Sequence, residues 1–162
     1  LSLAPLLIPT LIQAMTWVVF VDWRGAPATA WILGLSYFPL VSLFAARAFE
    51  RIDRRLEEAA LLARGPRGLL RADLGLVWPA VAAGACLAFA FAINDFGVPD
   101  YVSSVGRKFN VYADEIFANW NQVKRPGLAV VSALPLVLLS LAVLWPVLKL
   151  RRQGALASLG SA

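Results

Sequence analysis

The stretch ARAFERIDRRLEEAALLARGPRGLLRAD, residues 46–73, decides how the rest of the chain must fold. It is the one dense block of charge in a chain that is 60% hydrophobic. It holds seven arginines (Arg47, Arg51, Arg54, Arg55, Arg64, Arg67 and Arg71) and five acids (Glu50, Asp53, Glu57, Glu58 and Asp73). A charged side chain at the bilayer centre costs about 2.5 to 3.5 kcal/mol, so immersing seven arginines would cost roughly 20 kcal/mol. The block therefore lies in water or against a water-soluble partner.

The composition of the whole chain is that of an integral membrane protein. Its 162 residues fit one domain, but only 15% are charged and the mean hydropathy is +0.71. The net charge of +5 comes from basic residues beside apolar spans, a pattern that orients a protein in a membrane and does not indicate nucleic-acid binding. With no histidine and one cysteine, Cys86, the chain holds no disulfide framework, Cys/His zinc site or histidine-based triad. We expect no catalytic residue, metal or cofactor in it.

Four charge-free windows of 21 to 23 residues are each long enough to cross a hydrocarbon core of about 30 Å as a helix. They are Leu1 to Val21, Gly25 to Ala46, Leu74 to Asn94 and Pro126 to Leu148. The sequence therefore predicts an all-α, polytopic membrane bundle with four transmembrane helices. Because Leu1 already lies in an apolar run with no basic flank, we expect no signal peptide and take the chain to be a piece of a longer protein.

The distribution of basic residues predicts the sidedness of the loops. The block 47–73 and the tail after Leu148 carry ten of the fifteen basic residues, which places both in the cytoplasm by the positive-inside rule. The short loop 22–24 and the long segment 95–125 then face outside.

The third window is rich in alanine and glycine, which let helix backbones approach closely, so we expect it to pack inside the bundle. The alternative is a lone span in which alanine serves only helix propensity.

In the segment 95–125, the turn formers Gly97, Pro99 and Gly106 predict an irregular start, and Val111 to Asn121 has the spacing of an amphipathic interfacial helix. That helix is either a docking surface for an external partner or a simple interfacial lid.

Local signals predict two short helices joined by a turn inside the charged block. Asp53 suits an N-cap, Glu57 and Glu58 suit the first turn, and Gly65-Pro66 ends the first helix and starts a second one through Arg71. The first helix carries a face of small residues (Ala59, Ala60 and Ala63). A loop with only a topological role would need neither the caps nor the alanine face.

Residues 56–81, LEEAALLARGPRGLLRADLGLVWPAV, resemble the EAA loop of binding-protein-dependent ABC transporter permeases. Glu58, Ala59 and Ala60 match the Glu-Ala-Ala triplet, and a proline-bearing, alanine-rich span follows. The stretches DFGVP at 95–99 and NVYADEIFANW at 110–120 resemble the iron(III)-type branch of that family, often built as two fused halves. Residues 1–152 then look like part of one permease transmembrane domain in the first half, and 153–162 like a tail or linker.

The resemblance implies a helix-turn-helix coupling loop at 47–73 that docks on a separate ABC ATPase subunit, with Glu57, Glu58, Ala59, Ala60 and Gly65 as coupling residues. ATP and Mg would be bound by that subunit, because this chain has no G-x-x-x-x-G-K-[ST] phosphate loop. The other implied partners are an extracytoplasmic substrate-binding protein, a second permease half and the lipid bilayer of the bacterial cytoplasmic membrane. The substrate stays open between iron(III), thiamine, a polyamine or another solute.

Three polar residues in or beside the spans, Gln13, Asn94 and Asp95, are candidates for lining a pathway. Such residues also commonly bond a neighbouring helix. Two other function classes remain open. A membrane-embedded enzyme needs paired ionisable groups in the spans, and the four windows contain none. A non-transporting scaffold or assembly subunit would use the block 47–73 only as a topological anchor.

Overall fold

The computed structural model describes residues 3–106, 108–121 and 126–159, and within these ranges every regular element is an α-helix. The helices are α1 Ala4–Leu7, α2 Thr10–Val21, α3 Ala26–Phe49, α4 Arg54–Asn94, α5 Gly97–Val105, α6 Tyr112–Asn121 and α7 Pro126–Leu159. The all-α prediction is confirmed for this part of the chain.

Among the described residues, three helices are long and apolar enough to cross a membrane: α3, α4 and α7, the last over Pro126–Trp145. Helix α3 has 24 residues, or about 36 Å at 1.5 Å per residue, which exceeds a hydrocarbon core of about 30 Å. Three of the four predicted spans are therefore present as single helices. The last one runs past its predicted end at 148, because α7 continues to Leu159.

The first predicted span, 1–21, is wrong as a continuous helix. The chain is extended at Ile8 (φ −99°, ψ 124°), and Pro9, which has no N–H to continue the ladder, precedes a new helix. Helix α2 has 12 residues, about 18 Å, and is too short to cross a bilayer alone. Residues 1–21 are uncharged throughout, so hydropathy alone does not reveal the break before Pro9.

The largest buried cluster lies between α2, α3 and α5. We call it the outer core, after the side of the membrane predicted for the segment 95–125, and it consists of Ala14, Val18, Ala28, Ile32, Leu33, Val98 and Val102. Helix α5 corrects the prediction of an irregular start to the segment 95–125. Its Val98, Tyr101, Val102 and Val105 follow helical spacing, and burial of Val98 and Val102 against α2 and α3 stabilises a helix that the flanking glycines disfavour.

Helices α3 and α4 approach closely at Gly84, which is buried. A Cβ placed on Gly84 would lie 2.9 Å from the Cα of Val41 and 3.1 Å from the Cβ of Phe44, so only glycine permits this distance between the backbones. The alanine-rich span therefore packs on a neighbouring helix, but only Val77, Gly84 and Ala90 of α4 are buried, so its position inside the bundle stays a prediction.

The short helix predicted at Val111 to Asn121 is confirmed as α6, Tyr112–Asn121. It packs on α7, where the amide of Asn119 lies 3.5 Å from the hydroxyl of Ser132. Its Phe117 ring stacks on Phe96 with centroids 4.7 Å apart, which ties α6 to the start of α5. The interfacial position and docking role of α6 stay predictions.

Candidate functional site

The charged block covers the end of α3, the connection 50–53 and the first part of α4, and α4 starts where the sequence predicts. The Asp53 side chain accepts a hydrogen bond from the backbone N–H of Arg55 at 2.9 Å, and Glu57 lies in the first turn, where a negative charge favours the positive helix end. The N-cap prediction is confirmed.

The predicted interruption at Gly65-Pro66 is also present. Gly65 has φ 66° and ψ −166°, a conformation essentially reserved for glycine, so α4 consists of a segment 54–64 and a segment 66–94 that meet at this residue. The second segment does not end near Arg71 as predicted. It continues for 29 residues, about 43 Å, through Pro79 and through the apolar part of α4 that is long enough to cross a membrane.

The break at Gly65 turns the chain back on itself. A Cβ on Gly68 would lie 3.2 Å from the carbonyl oxygen of Ala60 and would also collide with the Cβ of Arg64. In a straight helix, residues eight positions apart are about 12 Å apart along the axis. Residues 54–73 therefore form a sharp bend, which we call the elbow, and both Gly65 and Gly68 are needed for it.

A notch of about 320 Å³ lies on the elbow, lined by Ala60, Ala63, Arg64, Gly68, Arg71 and Ala72. No residue of the elbow is buried. Of the predicted coupling residues, Glu58 and Ala59 are exposed, whereas Glu57, Ala60 and Gly65 are half-buried. The elbow brings Ala60 to the notch and leaves Glu57 and Glu58 on the turns before it. Its surface is available to a partner.

Gln13, one of the candidate pathway residues, lies at the break between α1 and α2. Its side-chain nitrogen donates to the carbonyl oxygens of Pro5 at 2.7 Å and Ile8 at 3.0 Å, and its oxygen accepts from the hydroxyl of Ser36 at 3.0 Å. Pro9 has no backbone N–H to donate to the preceding turn, and the side chain of Gln13 supplies donors to carbonyl oxygens there instead. These hydrogen bonds are structural, and a pathway role for Gln13 stays a prediction.

The other two candidates lie together where α4 ends. The Asn94 amide donates to the carbonyl of Ala90 at 2.7 Å and to the hydroxyl of Ser140 on α7 at 2.9 Å. Asp95 accepts from the hydroxyl of Tyr37 at 3.1 Å and from the backbone N–H of Val98 at 3.2 Å, so its carboxylate joins α3 to the first turn of α5. Both residues tie helices together, as polar residues in spans commonly do.

Several residues that build these sites were not singled out from the sequence. The hydroxyls of Ser36, Tyr37 and Ser140 each bond a predicted polar residue across helices, which no periodicity in one helix reveals. Gly68 follows Gly65 in the stretch GPRG, and that second glycine was the available signal for a fold-back.

The described residues contain no group of three or more Cys, Asp or Glu side chains positioned to hold a metal ion. Comparison of the chain with protein-family models, with curated proteins and with solved structures found no match.

Proposed function

We propose that this chain is a permease subunit of an ATP-driven importer. It would form half of a substrate pathway and couple to a separate ATPase subunit through the elbow. The observation that supports this most is the elbow itself, an exposed bend that carries Glu58, Ala59 and Ala60 before the break at Gly65 and leads after it into a helix able to span a membrane. Force applied to such a bend moves the span, which is what coupling requires.

The partners follow from the resemblance of residues 56–81 to the EAA loop. ATP and Mg would be held by the ATPase subunit, and an extracytoplasmic binding protein would deliver the solute. A second permease half would complete the pathway with this chain. The iron(III)-type branch is the subfamily we favour, on the stretches 95–99 and 110–120.

The coupling role is tested by Glu58→Lys, assayed in membranes that contain the whole transporter. Glu58 is exposed, so the substitution leaves the fold intact, and we expect loss of ATPase association and of solute uptake. Glu50→Lys is the matched control: it makes the same charge change just before the elbow and breaks only an exposed pair with Arg47. Unchanged association and uptake in Glu58→Lys would overturn the proposal.

The proposed location is the bacterial cytoplasmic membrane, with the elbow and the carboxyl-terminal tail in the cytoplasm. The charge distribution supports this sidedness, and by chain order the elbow and α5 lie at opposite ends of α4. In intact cells, an impermeant thiol reagent should label Ser104→Cys and should not label Arg67→Cys. The opposite labelling pattern would reverse the orientation.

A further inference from the structure

We propose that the notch on the elbow receives an acidic side chain that projects from the ATPase subunit. The proposal rests on the function proposed above and adds what the elbow recognises. The elbow would then bind a carboxylate of the ATPase subunit on which it docks.

Charge is separated along the elbow. Residues 60–72 contain three arginines and no acid; the acids Glu57 and Glu58 precede this run, and Asp73 follows it directly. Two of the arginines, Arg64 and Arg71, line the notch from opposite sides of the break at Gly65. Their spacing of seven residues would put them on one face of a straight helix, and the bend at Gly65 turns that face into a cavity.

The arginines of the notch are not neutralised within the described part of the chain. The ion pairs there join Arg24 to Asp22 and Arg47 to Glu50, and neither involves Arg64 or Arg71. Both arginines are exposed. Guanidinium groups bind carboxylates through paired hydrogen bonds, so two unpaired arginines facing one cavity present complementary charge to an anion.

The walls and surroundings of the notch favour a protein as the source of that anion. Its remaining lining is alanine and glycine (Ala60, Ala63, Gly68 and Ala72), which gives an aliphatic stem room to enter but offers no side-chain group to orient a small molecule. Leu70, next to Arg71 on the same elbow, is 61% exposed. Arginines beside exposed apolar side chains are typical of the energetic centre of a protein interface.

The test measures binding of the purified ATPase subunit to the full chain reconstituted in nanodiscs. Arg64→Glu and Arg71→Glu should each raise the Kd by about tenfold or more, because a like charge then faces the entering carboxylate. The matched control, Arg54→Glu, makes the same charge change on the elbow but outside the notch, and it should change the Kd by less than about threefold.

A second pair of variants tests the cavity without changing charge. Ala63→Trp fills the notch and should weaken binding by about tenfold or more, whereas Leu62→Trp, at an 88% exposed position outside it, should have little effect. If Arg54→Glu weakens binding as much as Arg64→Glu and Arg71→Glu do, the notch is not the binding site, although the coupling role is unaffected. Wild-type affinity in Ala63→Trp would lead to the same conclusion.

Two further outcomes separate the remaining explanations. If the wild-type chain does not bind the ATPase subunit at all, the proposed function is refuted, and so is the proposal that the notch binds an acidic side chain of that subunit. If the Arg64 and Arg71 effects are present in nanodiscs with anionic lipid and vanish in neutral phosphatidylcholine, a lipid headgroup occupies the notch and the acidic side chain is refuted. Persistence of the effects in neutral lipid supports the proposal.

Discussion

The outer core and the elbow lie at opposite ends of helix α4 and are held in place by different means. In the outer core, Val98 and Val102 are 0% and 1% exposed, and in the described residues every fully buried side-chain nitrogen or oxygen has a hydrogen-bond partner. In the elbow no residue is buried, and the shape depends on the Asp53 cap, the backbone of Gly65 and the lack of a side chain at Gly68. Tertiary packing stabilises the first region, whereas local geometry shapes the second and leaves its surface open to a partner.

The largest effect expected from this comparison comes from placing a charge in each region. Val98→Asp puts an unpaired carboxylate among apolar side chains and should destabilise the protein by about 4 kcal/mol or more. Leu62→Asp, on the elbow, should leave the free energy of unfolding within about 0.5 kcal/mol of wild type. Thermal unfolding of the detergent-solubilised chain, followed by size-exclusion chromatography, measures both. Equal thermal stability of the two variants would contradict the assignment of the outer core.

A smaller effect is expected where α3 and α4 touch. Gly84→Ala adds a methyl group 2.9 Å from the Cα of Val41, so the helices must separate, and we expect a loss of about 1 to 3 kcal/mol. Gly75→Ala is the control on the same helix, because nothing lies within 4 Å of its added Cβ and alanine favours the helix by about 0.5 to 1 kcal/mol. In a titration with denaturing detergent, Gly75→Ala should be the most stable of the three proteins, the wild type intermediate and Gly84→Ala the least stable. A reversed order would refute the close approach.

The smallest effect concerns the pH dependence of helix α6. Partial burial raises the pKa of Asp114 above its usual value of 3.8, and the carboxylates of Asp100 and Glu115 raise it further. Ionised Asp114 therefore disfavours the folded state, so α6 should be most stable near or below pH 3.8 and should lose stability as the pH rises through the raised pKa.

Asp114→Asn removes that dependence. Amide hydrogen exchange in α6, compared between pH 4 and pH 7 after correction for the intrinsic rate, should show increased protection in the variant at pH 7 and little change at pH 4. Asp22→Asn, on an exposed turn before α3, is the control and should leave α6 unchanged. A variant with lower protection at pH 7 would contradict the sign.

The features that the sequence predicted correctly are those with local causes. The Asp53 cap, the interruption at Gly65 and the helix at 112–121 depend on side chains within a few residues of one another, so propensity and spacing suffice to find them. The existence of three apolar helices follows from composition over windows of about 20 residues.

The features that the sequence missed depend on contacts between distant residues. Helix α5 looks like a loop by its glycine, proline and serine content and becomes a helix because Val98 and Val102 are buried on α2 and α3. The fold-back that makes Gly68 necessary joins positions eight residues apart, beyond the reach of turn rules. The hydrogen bond between Tyr37 and Asp95 spans 58 positions, and a single sequence carries no record of such a pairing.

The central claim, that the elbow contacts a separate ATPase subunit, is tested most directly by site-specific cross-linking in native membranes. In a chain whose Cys86 is replaced by alanine, Ala60→Cys should form a cross-link to the ATPase subunit with a short thiol-reactive reagent, because Ala60 lines the notch. Ser104→Cys, beyond the other end of α4, should form none. A complex that assembles normally and gives no cross-link from position 60 would contradict the account.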